Sequence, residues 1–193
     1  MYDYNMTFLR RRVIPVPAVL DPLLALPLAA DAIEADLGFT PTGLGSICLR
    51  AIEERAFRDV EYDVRDWLNR DSDKAVPVEI VEDSYGFTWV VIHRPPDDLR
   101  SLISGVHAAS SKFADNGFGA QLLCSVTAFR DRGERPLAVV YLYKSGTFYP
   151  FAPKSGENRN NALELRFKDV TEAKFPLEPD LSRWLPVWGA PGV

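Results

Sequence analysis

An α+β fold, with helices packed on one face of a mainly antiparallel sheet in a single domain, is predicted by three observations. Helix-like and strand-like segments alternate irregularly instead of in regular βαβ units. The second half is dominated by strand-like runs joined by short polar loops, which favours antiparallel pairing. At 193 residues, 47% hydrophobic and 25% charged, the chain is long enough to bury one substantial core.

Residues 1–20 read as a basic, Pro-rich N-terminal arm, and 21–193 as the single domain. Arg10, Arg11 and Arg12 precede an apolar run, but Pro15, Pro17, Asp21, Pro22 and Pro27 interrupt it, so it is neither a spanning helix nor a signal peptide. The arginines lie beside Phe8, Leu9, Val13 and Ile14, a mixture suited either to weak contact with anionic lipid or to a solvated, disordered arm.

Pro27 can open a helix because a first-turn residue has no intrahelical use for its N–H, and Leu28, Ala32, Ile33 and Leu37 follow at helical spacing up to a Gly38 stop. Residues 41–45 (PTGLG) are expected to turn, leading into a buried strand in which Cys48 faces away from Ile47 and Leu49. Phe57, Val60, Val64, Trp67 and Leu68 form the apolar stripe of a second helix. Residues 76–81 and 87–92 are rich in β-branched and aromatic side chains and flank a polar loop, an antiparallel hairpin. Leu99, Leu102, Ile103, Val106 and Phe113 predict the longest helix, ending at Asn116 and Gly117. Strands are expected at 121–129, 137–143, 147–152 and 162–168, and Pro179 with Asp180 can start a brief helix carrying Leu181, Trp184 and Leu185.

The net charge of −5 argues against broad nucleic-acid binding, which needs clustered Lys and Arg. Cys48 and Cys124 form neither a CxxC motif nor a disulfide framework, consistent with a reducing, cytoplasmic setting. Together with His93 and His107 they supply the atoms for a Cys/His hydrolase or a metal site, but without close-spaced ligands or a recognised local context. The acidic pairs Glu82/Asp83 and Asp97/Asp98 suit turns and helix caps better than acid–base chemistry. The glycine pairs at 43/45 and 117/119 match no phosphate-binding loop. No catalytic residue, cofactor or metal is therefore assigned, and the chain is expected not to be an enzyme.

What remains is a recognition surface. Tyr141, Tyr143, Phe148 and Tyr149 make an aromatic hairpin followed by a basic, Asn-rich loop, and with Lys144, Lys154, Arg159 and Asn160 they are the candidate partner-binding residues. Trp184 and Trp188 are an alternative docking site, though the surrounding prolines suit a tail fastened over the core. A second possibility is a small-ligand or regulatory sensor, its pocket lying between the sheet and the helix at 97–116 with tyrosines, Lys144 and Arg159 as contacts.

Seven stretches carry a resemblance: FTPTGLGS at 39–46, EDSYGFTW at 82–89, RPPDD at 94–98, GFGAQLLC at 117–124, VYLYKSGTFYPFAP at 140–153, LEPDLSRW at 177–184 and PVWGAPG at 186–192. In this order they resemble the PspAB family of PspA-associated proteins from residue 20 to the C-terminus; the arginine-rich leader departs from that pattern. The resemblance implies a non-enzymatic accessory or adaptor role in the phage-shock envelope stress response. It implies association with a PspA- or Vipp-like protein or an HtpX-like membrane protease, in the cytoplasm and at most peripherally at the inner face of the membrane. It supplies no catalytic residue.

Overall fold

The computed structural model describes residues 17–50, 55–70 and 78–193. The arginine cluster of the arm and the start of the strand expected at 76 lie outside the described residues.

Residues 17–20 are docked on the domain: the Val19 N–H donates to the Tyr143 carbonyl at 2.7 Å, and the Tyr141 hydroxyl donates to the Val19 carbonyl at 2.9 Å. A short 3-10 turn, Asp21–Ala25, leads into helix α1, Leu26–Leu37. Pro27 sits in its first turn, and Gly38 closes it with left-handed backbone, its N–H returning to the Glu34 carbonyl. Strand β1, Phe39–Arg50, starts immediately and is longer than expected. The predicted turn at 41–45 is instead an irregularity within β1, a register shift against its neighbour between Pro41 and Gly45. Its cause is local. Gly43 has φ +80°, its carbonyl accepts the Arg94 N–H at 2.8 Å, and a β-carbon there would stand 2.0 Å from the Arg94 carbonyl oxygen.

Helix α2, Arg55–Arg70, buries Phe57, Val60 and Val64, one stripe of its surface. Strands β2, Glu79–Glu82, and β3, Phe87–His93, form the expected hairpin, closed by Asp83. Helix α3, Leu99–Phe113, is capped by Asp98, whose carboxylate accepts the Ser101 N–H at 3.1 Å. At 15 residues it is shorter than the 16 of α2, because a wide turn, Ala114–Phe118, with left-handed backbone at Gly117, takes over its last predicted residues. Strands β4, Leu122–Asp131, β5, Pro136–Leu142, and β6, Thr147–Phe151, follow as antiparallel neighbours. A two-residue pair, β7 (Pro153–Lys154) with β8 (Asn158–Arg159), holds the following loop.

The expected strand at 162–168 is a helix, α4, Asn161–Thr171. Leu163, Leu165 and Phe167 alternate with polar residues as in a strand, yet the buried residues are Glu164, Phe167 and Thr171, which share one helical face. Leu165 is left exposed. A buried glutamate is invisible to a pattern search that counts only apolar residues.

The six strands order as β2-β3-β1-β4-β5-β6, antiparallel throughout. Helices α1, α2, α3 and α4 all contribute to the core on one face, where Ile33, Val64, Val106 and Phe167 meet Ile47, Val90, Tyr141 and Phe148. A smaller core on the opposite face holds Cys48, Trp89, Val126, Tyr149 and Phe151 beneath Trp184 and Ala190 of the C-terminal segment. This is the α+β architecture the sequence predicts.

Candidate functional site

Which face each residue of β5 and β6 takes follows from the two-residue period of a strand. Tyr141, Tyr143 and Phe148 turn toward the helices, while Tyr149 and Phe151 turn toward the C-terminal segment. Tyr141, Tyr143, Phe148 and Tyr149 are each at most 2% exposed. The hydroxyl of Tyr143 meets that of Ser110 at 2.6 Å, and burial pushes the phenols of Tyr141, Tyr143 and Tyr149 upward. The aromatic hairpin is thus packed on both faces, and these four rings are core in this fold, not an exposed contact surface.

The remaining candidates divide. Asn160 caps α4, its side-chain oxygen accepting the Leu163 N–H. Arg159 is a structural keystone: its Nε donates to Glu164 Oε1 at 3.0 Å, its guanidinium lies 5.2 Å from the Phe151 ring centroid, and a terminal N–H donates to the Trp184 carbonyl. Glu164 Oε1 also accepts the Ala152 N–H at 2.9 Å, so the carboxylate ties α4 to the strand end. Lys144 and Lys154 are exposed.

The C-terminal segment is steered over the second face by specific contacts. Residues 176–178 run along the outer edge of β6, with the Phe148 N–H donating to the Pro176 carbonyl and the Glu178 N–H to the Phe148 carbonyl, both at 2.8 Å. The Trp184 indole donates to the Glu178 carbonyl at 3.0 Å, and the Tyr149 hydroxyl donates to the Leu185 carbonyl at 2.9 Å. Trp184 stacks on Tyr149, and Trp188 meets Phe151 edge-on at 4.7 Å. Both tryptophans act as clasps; Trp184 is buried and Trp188 half-buried.

Between this clasp and the sheet lies a cleft of about 980 Å³. Its floor contains Cys48 and Cys124, and Trp89, Leu142 and Trp188 are among its walls. Arg50, Lys144 and Arg183 supply positive charge at its lining. Arg183 pairs with Glu178 at 3.4 Å, whereas Arg50 and Lys144 have no ion-pair partner among the described residues. Arg50 continues the register of Cys48 on β1 and Lys144 that of Leu142 past the end of β5, so both project from the same end of this face.

Asp83 is the acidic group of the cleft. Burial alone would raise its pKa, but the Trp89 indole at 2.8 Å and the N–H groups of Phe87, Tyr85 and Gly86 outweigh this and hold it below the usual carboxylate range. Its charge is consequently committed to the β2–β3 turn. A second cavity, about 630 Å³, is lined by Lys154 and Asn160 among others, and Trp188 borders both spaces.

The pocket expected between the sheet and the helix at 97–116 is corrected by this geometry. Leu102, Ile103, Val106, Ala109 and Phe113 fill that space, each at most 1% exposed, and the cleft lies on the opposite face. Lys144 lines it; Arg159 does not. The Cys and His residues do not converge either. His107 sits on α3 with Asp21 at 3.5 Å, across the sheet from the cysteines. His93 is four positions along β3 from Trp89, the residue opposite Cys48, roughly 13 Å away at strand rise. Cys48, Cys124, Trp89, Arg50 and Leu142 were not predicted as one site, because only the strand order brings them together.

A family model described as PspAB, PspA associated protein B, matches residues 4–192, nearly the whole chain. The chain belongs to the PspAB family. The match also takes in most of the arginine-rich leader that the motif resemblance left aside. Neither the curated proteins nor the solved structures compared with this PspAB chain yield a match. The family description ties PspAB to PspA by association and leaves open which surface serves it, so the cleft has to be judged on its own chemistry.

Proposed function

We propose that this PspAB chain is a non-enzymatic adaptor of the PspA-type envelope stress response, and that it takes its partner in the cleft on the helix-free face. The observation that carries this reading is the combination of an apolar floor with two cations, Arg50 and Lys144, at one end, neither with an ion-pair partner among the described residues. Such a cleft suits a protein segment that presents an apolar anchor next to acidic side chains, since buried anchors supply affinity and complementary charge supplies orientation. The occupant is a segment of a PspA-like protein, in keeping with the family description; an HtpX-like protease is the competing partner. The adaptor acts in the cytoplasm, at most peripherally at the inner face of the membrane. Among the described residues no helix is long and apolar enough to cross a membrane.

The test is affinity purification of tagged chain from membrane-stressed cells, with crosslinking and mass spectrometry, beside Arg50→Glu/Lys144→Glu and Lys154→Glu variants. Enrichment of a PspA-like protein that is lost in the first variant and kept in the second supports the reading. Loss only with Lys154→Glu moves the interface to the second cavity, and no enrichment with wild type refutes direct association.

The volume favours a second reading, a small-ligand or regulatory sensor, because about 300–1,000 Å³ is the range of small-molecule sites. In that case native mass spectrometry of the purified chain shows a retained small molecule, lost when the larger side chain of Leu142→Trp fills the cleft from its wall.

A further inference from the structure

The two cysteines, distant in sequence, meet on the floor of the cleft. In the β1–β4 pairing the Cα atoms of Cys48 and Cys124 are direct partners. Directly opposed residues of antiparallel strands lie about 4.5–5.5 Å apart at Cα, within the roughly 4.4–6.8 Å that a disulfide spans. Both side chains point to the helix-free face, both thiols are free, and both line the cleft. The side-chain interaction with Cys124 and then burial push the Cys48 thiol upward.

We propose that Cys48 and Cys124 are a dithiol modification site, which low-molecular-weight disulfides entering through the cleft convert to a cross-strand disulfide. Cys124, 8% exposed against 4% for Cys48, is the entry thiol. Its thiolate, formed by loss of a proton to water, attacks one sulfur of the incoming disulfide. The S–S bond breaks, one thiolate leaves, and a mixed disulfide remains on Cys124. Cys48 then loses its proton to water and attacks the Cys124 sulfur, expelling the second thiolate. The protein gives up two electrons and two protons, and the small disulfide is reduced to two thiols. Because Cys48 is held protonated, ring closure accelerates with rising pH. The bond would replace two thiols on the floor with a rigid crosslink beside Trp89, the other neighbour of Cys48. The site stands independently of the partner reading above.

The reduced full-length protein is incubated with oxidised glutathione under native conditions, quenched in acid, alkylated and mapped by non-reducing peptide mass spectrometry. The expected product links the peptides carrying Cys48 and Cys124, with no glutathione retained, whereas Cys48→Ser keeps a stable glutathione adduct on Cys124. Should the serine variant fail to fold, phenylarsine oxide serves on the unaltered chain: it bridges paired thiols and is expected to block both from a later thiol reagent. A persistent glutathione adduct on wild type overturns the proposal. So does oxidation that occurs only in urea, or phenylarsine oxide that protects neither thiol.

Discussion

Replacing Arg159 by alanine separates a structural role from a docking role at a residue that sequence reasoning placed in the interface. Glu164 is 3% exposed, and without the guanidinium it keeps, among the described residues, the Ala152 N–H as its donor. The Trp184 carbonyl loses its donor as well, and the contact over Phe151 disappears. Removing one partner of a buried ion pair costs about 3–5 kcal/mol. The Arg159 side chain is 22% exposed, and water reaching the vacated space tempers the loss toward the lower end. For a chain of this size each kcal/mol shifts the melting temperature by about 2–4 °C, so a cost near 3 kcal/mol lowers it by about 6–12 °C. Thermal unfolding followed by circular dichroism measures this directly. Adding Glu164→Gln removes the stranded charge while preserving an acceptor for Ala152, so the double variant should lose less than the sum of the two single changes, by about 1–3 kcal/mol. An Arg159→Ala protein that melts within about 2 °C of wild type would refute the keystone assignment.

Three further outcomes follow from the same geometry. Gly43→Ala should destabilise by at least about 2 kcal/mol, because it adds left-handed strain to a clash with the Arg94 carbonyl; urea unfolding measures it. Trp184→Ala should cost about 3–5 kcal/mol and release the C-terminal segment, seen as faster amide exchange over 184–193 while α3 stays protected. Stability should also fall in acid. Asp98 and Asp180 are held below the ordinary carboxylate range by the side chains and N–H groups of Ser101 and Ser182, and Asp83 by the bonds that outweigh its burial. A depressed folded-state pKa stabilises above the unfolded value and loses that contribution as pH falls through the folded one, so the urea midpoint should hold from pH 7 to about 5 and drop below about 4. Glu61, raised by burial and by Glu82, works in the opposite sense: its contribution grows as pH falls through its raised pKa and is complete below the unfolded value, so a midpoint that rises on acidification before any drop would show that it outweighs the aspartates.

The parts of the fold legible in the sequence are those in which burial and periodicity agree. Phe57, Val60 and Val64 mark α2, and Asp98 ahead of Leu99 marks the start of α3, because in each case one face is apolar and the other is not. Where a polar group is buried, the pattern inverts. Glu164 goes inside because Arg159 and the Ala152 N–H satisfy it, and Leu165 stays outside, which makes a helix read as a strand. The aromatic hairpin misled for a related reason. Helices cover Tyr141 and Tyr143 while the C-terminal segment covers Tyr149 and Phe151, and a sequence does not reveal that both faces of an edge hairpin are roofed. The cleft itself was least legible, since the Cys48–Cys124 juxtaposition depends on the β1–β4 register and Lys144 joins Arg50 only through the β4–β5 pairing.

The central claim, that PspAB meets a PspA-like protein in the cleft on its helix-free face, is tested most directly by site-specific photocrosslinking in membrane-stressed cells. A photoreactive residue is placed at Lys144 on the cleft, and in a control at Leu165, exposed on α4. A PspA-like protein crosslinked from position 144 and not from 165 is the predicted result; equal capture from both positions, or capture from 165 alone, would contradict it.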